Sequence, residues 1–120
     1  MKYTRIYSTP DGESHLQDVE VPMKESAFAS MMSEMVAAKG VIFRSSDSGE
    51  YLIDWHNAPR RQFVVNLIGE VEIETSDGDR RRFGTGSILL AEDVTGKGHI
   101  SRGVGTSERQ TLFIPLTDAK

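Results

Sequence analysis

Residues 62–83 constrain the fold more than any other stretch of this chain. Their first part, QFVVNLIG, is apolar on both faces of an extended chain, which predicts a strand covered on both sides. The next part alternates strictly. Val71, Ile73 and Thr75 share one face, and Glu70, Glu72 and Glu74 share the other. That is the pattern of a strand with one wet side. The Asp77-Gly78 step that follows favours the positive φ of a tight hairpin, and Arg80 to Phe83 return antiparallel. A chain carrying such a unit is committed to a sheet.

The flanking sequence repeats the theme. Short apolar runs at 4–8, 16–21, 41–44, 51–55, 88–92, 99–101 and 111–116 are separated by polar, glycine-rich turns such as GTGS, SSDSGE and RGVGTSERQ. About eight to ten strands at regular spacing predict an all-β sandwich or barrel. One segment departs from this. Over 26–38, Phe28, Met31, Met32, Met35 and Val36 fall at helical spacing, with Ser26 as N-cap and Gly40 beyond the end. The spacing predicts a short helix, or an irregular segment, packing one greasy face on the barrel. Its methionines equally suit a pliable lid or a dimer contact.

The totals bound the function. At 120 residues the chain makes one domain, large enough to bury a core. It has no cysteine, which excludes disulfides, thiolate metal sites and a cysteine nucleophile. No apolar run approaches the length of a membrane span, and the first residues lack the apolar core of a secretory signal. A soluble, cytoplasmic protein is expected. The formal net charge is -4, so there is no general attraction to nucleic acid or to a membrane. Arg80, Arg81 and Arg82 read as a solvated hairpin flank, because Asp77 and Asp79 stand just before them.

The run WHNAPRRQFVVNLIGEVEI, followed by FGTGSILLAEDVTGKGH, resembles the two signature regions of the cupins. His56 takes the place of the first His of that pattern, Ala58 the second, Gln62 the carboxylate and Gly69 the glycine. Thr85-Gly86 stands for the second region's turn, and His99 takes its His after a slightly long loop. The spacing is kept while the metal signature is eroded. The resemblance implies a single cupin domain over 1–120, a double-stranded β-helix or jelly-roll barrel. Its core would run from about 40 to 116, with the first 39 residues as N-terminal strands and a covering segment. It also implies that His56, Gln62 and His99 converge inside the barrel, and that the protein is a homodimer.

Three functions follow from that site. The leading one is small-molecule binding in an intra-barrel pocket, with metal-free acid–base chemistry by His56 and His99 of the dehydratase, isomerase, lyase or cyclase type. Gln62, Val64 and Asn66, which share an inward strand face, would contact substrate, with Ser101 and Arg60 beside them. The second is a metal-dependent enzyme, an oxygenase or lyase. There His56, Gln62 and His99 would hold one divalent ion (Zn, Fe, Mn, Ni or Cu), since some cupins use Gln at the carboxylate place. Ala58 and the neutral Gln62 weigh against it, and His15 is too far along the chain to complete the set. The third is a sensor that binds without turnover. Arg60 and Arg61 read either as a clamp for an anion, with Arg60 the inward one, or as rim residues paired with acids. Trp55 should point away from His56. Glu92, Asp93 and Lys97 read either as the mouth of the pocket or as parts of an ordinary glycine turn. GKG lacks P-loop spacing, and no Ser–His–Asp set is recognisable.

Overall fold

The computed structural model describes residues 1–46, 51–105 and 108–118. Twelve strands and no helix form among them. Lys2–Ser8 (β1), Ser14–Glu20 (β2), Ile42–Ser46 (β5), Gln62–Ile68 (β7), Ile88–Ala91 (β10) and Arg109–Pro115 (β12) make a six-stranded sheet in the order β2-β1-β10-β7-β12-β5. Leu52–His56 (β6), Glu70–Thr75 (β8), Arg80–Phe83 (β9) and His99–Val104 (β11) make a four-stranded sheet in the order β6-β11-β8-β9. Among the described residues, only β1 and β10 pair in parallel.

The two sheets bury a common core. Ile6, Leu16 and Leu89 of the larger sheet pack with Val71, Ile73 and Phe83 of the smaller. The first strands belong to this core: β1 lies between β2 and β10, and Ile6 is fully buried. The alternation at 70–75 is realised, with Val71, Ile73 and Thr75 buried and the glutamates on the outer face. There the glutamates meet the arginines in cross-strand pairs. Arg80 lies 2.9 Å from Glu74, Arg82 3.5 Å from Glu72, and Arg102 of β11 2.8 Å from Glu74. Arg80 and Arg82 therefore lie on a solvated sheet face, where each exposed pair adds little to stability, while Arg81, opposite Ile73, pairs with Asp18 and Asp79.

The helix expected over 26–38 does not form. Lys24–Ser26 (β3) and Ser30–Met32 (β4) pair as a small hairpin instead, turning at Phe28 and Ala29 with φ of 68° and 54°. A helix of that length is marginal in water unless a face is buried, and here nothing covers the face. Phe28 is 99 % exposed and Met35 94 %. The chain then runs back along the end of β12, where the Lys39 amide donates to the Pro115 carbonyl. Ser45 and Ser46 of the expected SSDSGE loop complete β5, and its remaining residues, 47–50, lie outside the described residues. The expected turn at 102–110 is narrower: β11 extends to Val104, β12 begins at Arg109, and 106–107 lie outside the described residues. No helix of the described residues is long and apolar enough to cross a membrane.

Candidate functional site

The site begins where β11 meets the edge strand β6. His99 and His56 are register partners there, with an irregularity between His99 and Ser101. Their rings lie 4.3 Å apart, inclined by 56°. Just before His99 the two backbones almost touch: a Cβ on Gly98 would stand 2.1 Å from the His56 carbonyl oxygen, and Gly98 has φ +73°. Only glycine admits this approach.

Both imidazoles are oriented through Nδ1. His56 Nδ1 donates to the Asp54 carbonyl at 2.8 Å. A carbonyl can only accept, so this nitrogen carries the proton and Nε2 keeps a lone pair when the ring is neutral. His99 Nδ1 donates to Asp93 Oδ2 at 2.5 Å, and both residues are buried. The same tautomer follows, backed by a carboxylate that compensates the positive charge formed when Nε2 takes a proton. Asp93 is 0 % exposed, and its Oδ1 has no hydrogen-bond partner among the described residues.

Loop 92–98 is fastened at several points. The Asp93 carbonyl accepts from the Ala58 amide and from Asn57 Nδ2, both at 3.2 Å. The Gly98 carbonyl accepts from the Ser14 hydroxyl at 2.6 Å. Lys97 pairs with Glu13. Glu92 is held from both sides, by Arg5 Nε at 2.8 Å and Arg61 Nε at 2.6 Å, while Arg61 also binds Asp118. The glycine-rich segment is thus a fixed wall that turns one acid outward to arginines and the next inward to an imidazole.

These groups open onto a cavity of about 190 Å³ between the sheets, with mostly apolar walls. His56, His99, Gln62, Val64 and Ser101 line it, as does Ala58, whose small side chain offers no ligand atom. Asn66 and Arg60 are not on the wall. The Asn66 amide is spent on the carbonyls of Gly69 and Gly84 at 2.6 and 2.8 Å. Arg60 Nη1 donates to Gln62 Oε1 at 2.9 Å, so it bears on the cavity only through Gln62. Trp55 is half exposed and off the wall, and Arg61 belongs to the outer network. His15 lies elsewhere, between Thr9 and Asp77.

The donor set does not suit a divalent cation. The Gln62 oxygen, the one available carboxamide ligand, already faces the positive guanidinium of Arg60. Two imidazoles remain, the Asp93 carboxylate is engaged on the Nδ1 side of His99 rather than beside Nε2, and no group of three His, Cys, Asp or Glu suited to a metal occurs among the described residues.

Besides apolar wall residues, four polar residues were not singled out by the sequence as belonging to the cavity interior: Asp93 behind His99, and Arg44, Tyr51 and Arg109 on the wall. Arg109 is 7 % exposed, and burial pushes its guanidinium below the ordinary arginine value. It stays charged at neutral pH nonetheless. Its Nε donates to Asn66 Oδ1 at 3.2 Å and its Nη1 to the Tyr51 hydroxyl at 2.8 Å. No protein-family model matches the chain, and a search of curated proteins returns no significant match.

Proposed function

We propose that this chain is a small-molecule-binding protein of cupin type, its two sheets forming a jelly-roll barrel, and that its pocket performs metal-free proton transfer. The observation that carries this reading is the buried Asp93–His99 pair with the His56 ring 4.3 Å from His99. Both rings offer Nε2 while Nδ1 is engaged. With one proton between them, the pair holds an acid beside a base, the minimum needed to move a proton between two atoms of one substrate. His99 accepts, Asp93 compensates the charge, and His56 returns the proton. Gln62, fixed by Arg60, orients a substrate oxygen. Dehydration, isomerisation, elimination and cyclisation all reduce to such transfers.

The test is nitrogen-detected NMR of the two imidazoles across the neutral range, joined to metal analysis of protein purified without nickel or chelator. Nδ1-protonated tautomers for both neutral rings, with substoichiometric metal, are expected. An Nε2-protonated His99, or stoichiometric metal lost in His99→Ala, would overturn the reading in favour of a metal-dependent enzyme.

The same reading includes a homodimer. Strands β5 and β6 are sheet edges, and Phe43, Leu52 and Trp55 on them are 82, 64 and 47 % exposed. Exposed apolar edges favour pairing with another chain, and a second copy is the occupant we assign.

A further inference from the structure

Arg109 is a buried cation for which proton transfer has no use. It opens β12 at the end of the cavity away from the imidazoles. Both of its hydrogen-bond partners, Asn66 and the Tyr51 hydroxyl, are neutral, and among the described residues no carboxylate pairs with it and nothing accepts from Nη2. A guanidinium taken out of water without a counter-ion is costly. Arg44 adds a second positive charge on the same wall, its guanidinium 5.6 Å from the centre of the Phe113 ring. The fork is also held in place, because Asn66 is locked by the Gly69 and Gly84 carbonyls. A fixed cationic fork at one end of an apolar cavity matches a planar anion.

We infer that the cavity takes a small organic carboxylate with an apolar body, its carboxylate on Arg109 with Arg44 beside it and its far carbons toward His56 and His99. The register sets the span. The Gly103 amide donates to the Tyr51 carbonyl at 2.9 Å, and Gly103 follows His99 by four residues on β11. The Tyr51–Arg109 end therefore lies ~13 Å along the strand from His99, at ~3.3 Å per residue. Side chains reach in from both ends, leaving room for a short acid well below drug size. Val64, Val71 and Leu89 flank the middle and suit an aliphatic or aromatic body. The orientation of the acid rests on the proton-transfer reading; the anion seat rests on Arg109 alone.

Calorimetric titration of the whole chain with butyrate, isovalerate and benzoate, each against its amide, and with inorganic phosphate, tests this. The carboxylates are expected to bind about tenfold to a hundredfold more tightly than their amides, because each amide loses a hydrogen bond to a charged donor. Arg109→Met should abolish the preference, Arg109→Lys should restore part of it, and Tyr51→Phe should weaken it. Should the Arg109 variants fail to fold, the acid-to-amide ratio on the unaltered protein still decides. Equal binding of acid and amide, or phosphate outcompeting every carboxylate, overturns the inference. Either result leaves the histidine tautomers, and with them the proton-transfer reading, standing. Wrong tautomers with a preserved carboxylate preference sink only that reading.

Discussion

Gly98→Ala tests the geometry that brings His56 and His99 together. A Cβ at Gly98 would sit 2.1 Å from the His56 carbonyl oxygen and 2.5 Å from its carbon, where at least 3.0 Å is needed. The contact is backbone against backbone, so neither side can swing away. The strands must part by about 1 Å, which strains the adjoining β6–β11 pairing and the Ser14 bond to the Gly98 carbonyl. Holding alanine at φ +73° costs ~1–2 kcal/mol. A buried hydrogen bond disturbed adds ~1–3 kcal/mol, and the stiffer unfolded chain returns ~0.4–1 kcal/mol. The net loss is ~2–4 kcal/mol, and at ~4 °C per kcal/mol for a chain of this size Tm falls by ~8–16 °C. Gly78→Ala is the control. It has φ +90° but nothing within 4 Å of the added methyl. It bears the φ cost alone, and Tm should fall by ~4 °C or less. Thermal melts followed by circular dichroism read both. Equal drops for the two variants would refute the claim that the close approach at His56 is what requires glycine.

Acid should destabilise the fold in a defined window. Asp11, Glu13, Asp18 and Glu74 are held below their ordinary values, chiefly by the Thr9 hydroxyl, Lys97, the Thr4 hydroxyl and Arg102 respectively. For Asp77, burial raises the value, but the hydroxyl of Thr75 and further bonds bring it below. Lowered folded values mean that this stabilisation is whole above the unfolded values of 3.8 for Asp and 4.5 for Glu, and is lost as pH falls through the folded ones. Because most of these groups are exposed, each contributes little, and the urea midpoint should fall modestly below about pH 4.5; a midpoint unchanged down to about pH 3 would contradict the assignment. For assembly, light scattering should give a dimer mass for the unaltered chain and a monomer mass for Phe43→Lys with Tm nearly unchanged. A monomer at high micromolar concentration removes the proposed partner.

The strands were legible because two signals agreed. Alternation at 70–75 gave the face, and Asp77-Gly78 gave the reversal that pairs Glu74 with Arg80. His56 and His99 were legible as a pair through the cupin spacing alone. The helix reading over 26–38 shows the limit of periodicity. Five apolar residues at the right spacing say which face would be buried, but not whether the fold offers a surface to bury it on. Asp93 was hidden by its surroundings: in EDVTGKGH nothing local distinguishes the acid that faces Arg5 and Arg61 from the acid that faces His99. Arg109 was hidden because GTSERQ has the composition of a turn, while pairing with β7 and β5 draws its end into a strand.

Glu92 has a consequence for handling the protein. Its carboxylate joins Arg5 of the first strand to Arg61, which in turn holds Asp118 beyond the last strand. Both ends of the described chain are thereby moored one residue from the acid that steadies His99. Trimming past Arg5 would remove most of β1, and deleting Asp118 would slacken a tether rather than shorten a tail. The cost would surface in the reactivity of a ring that neither end touches.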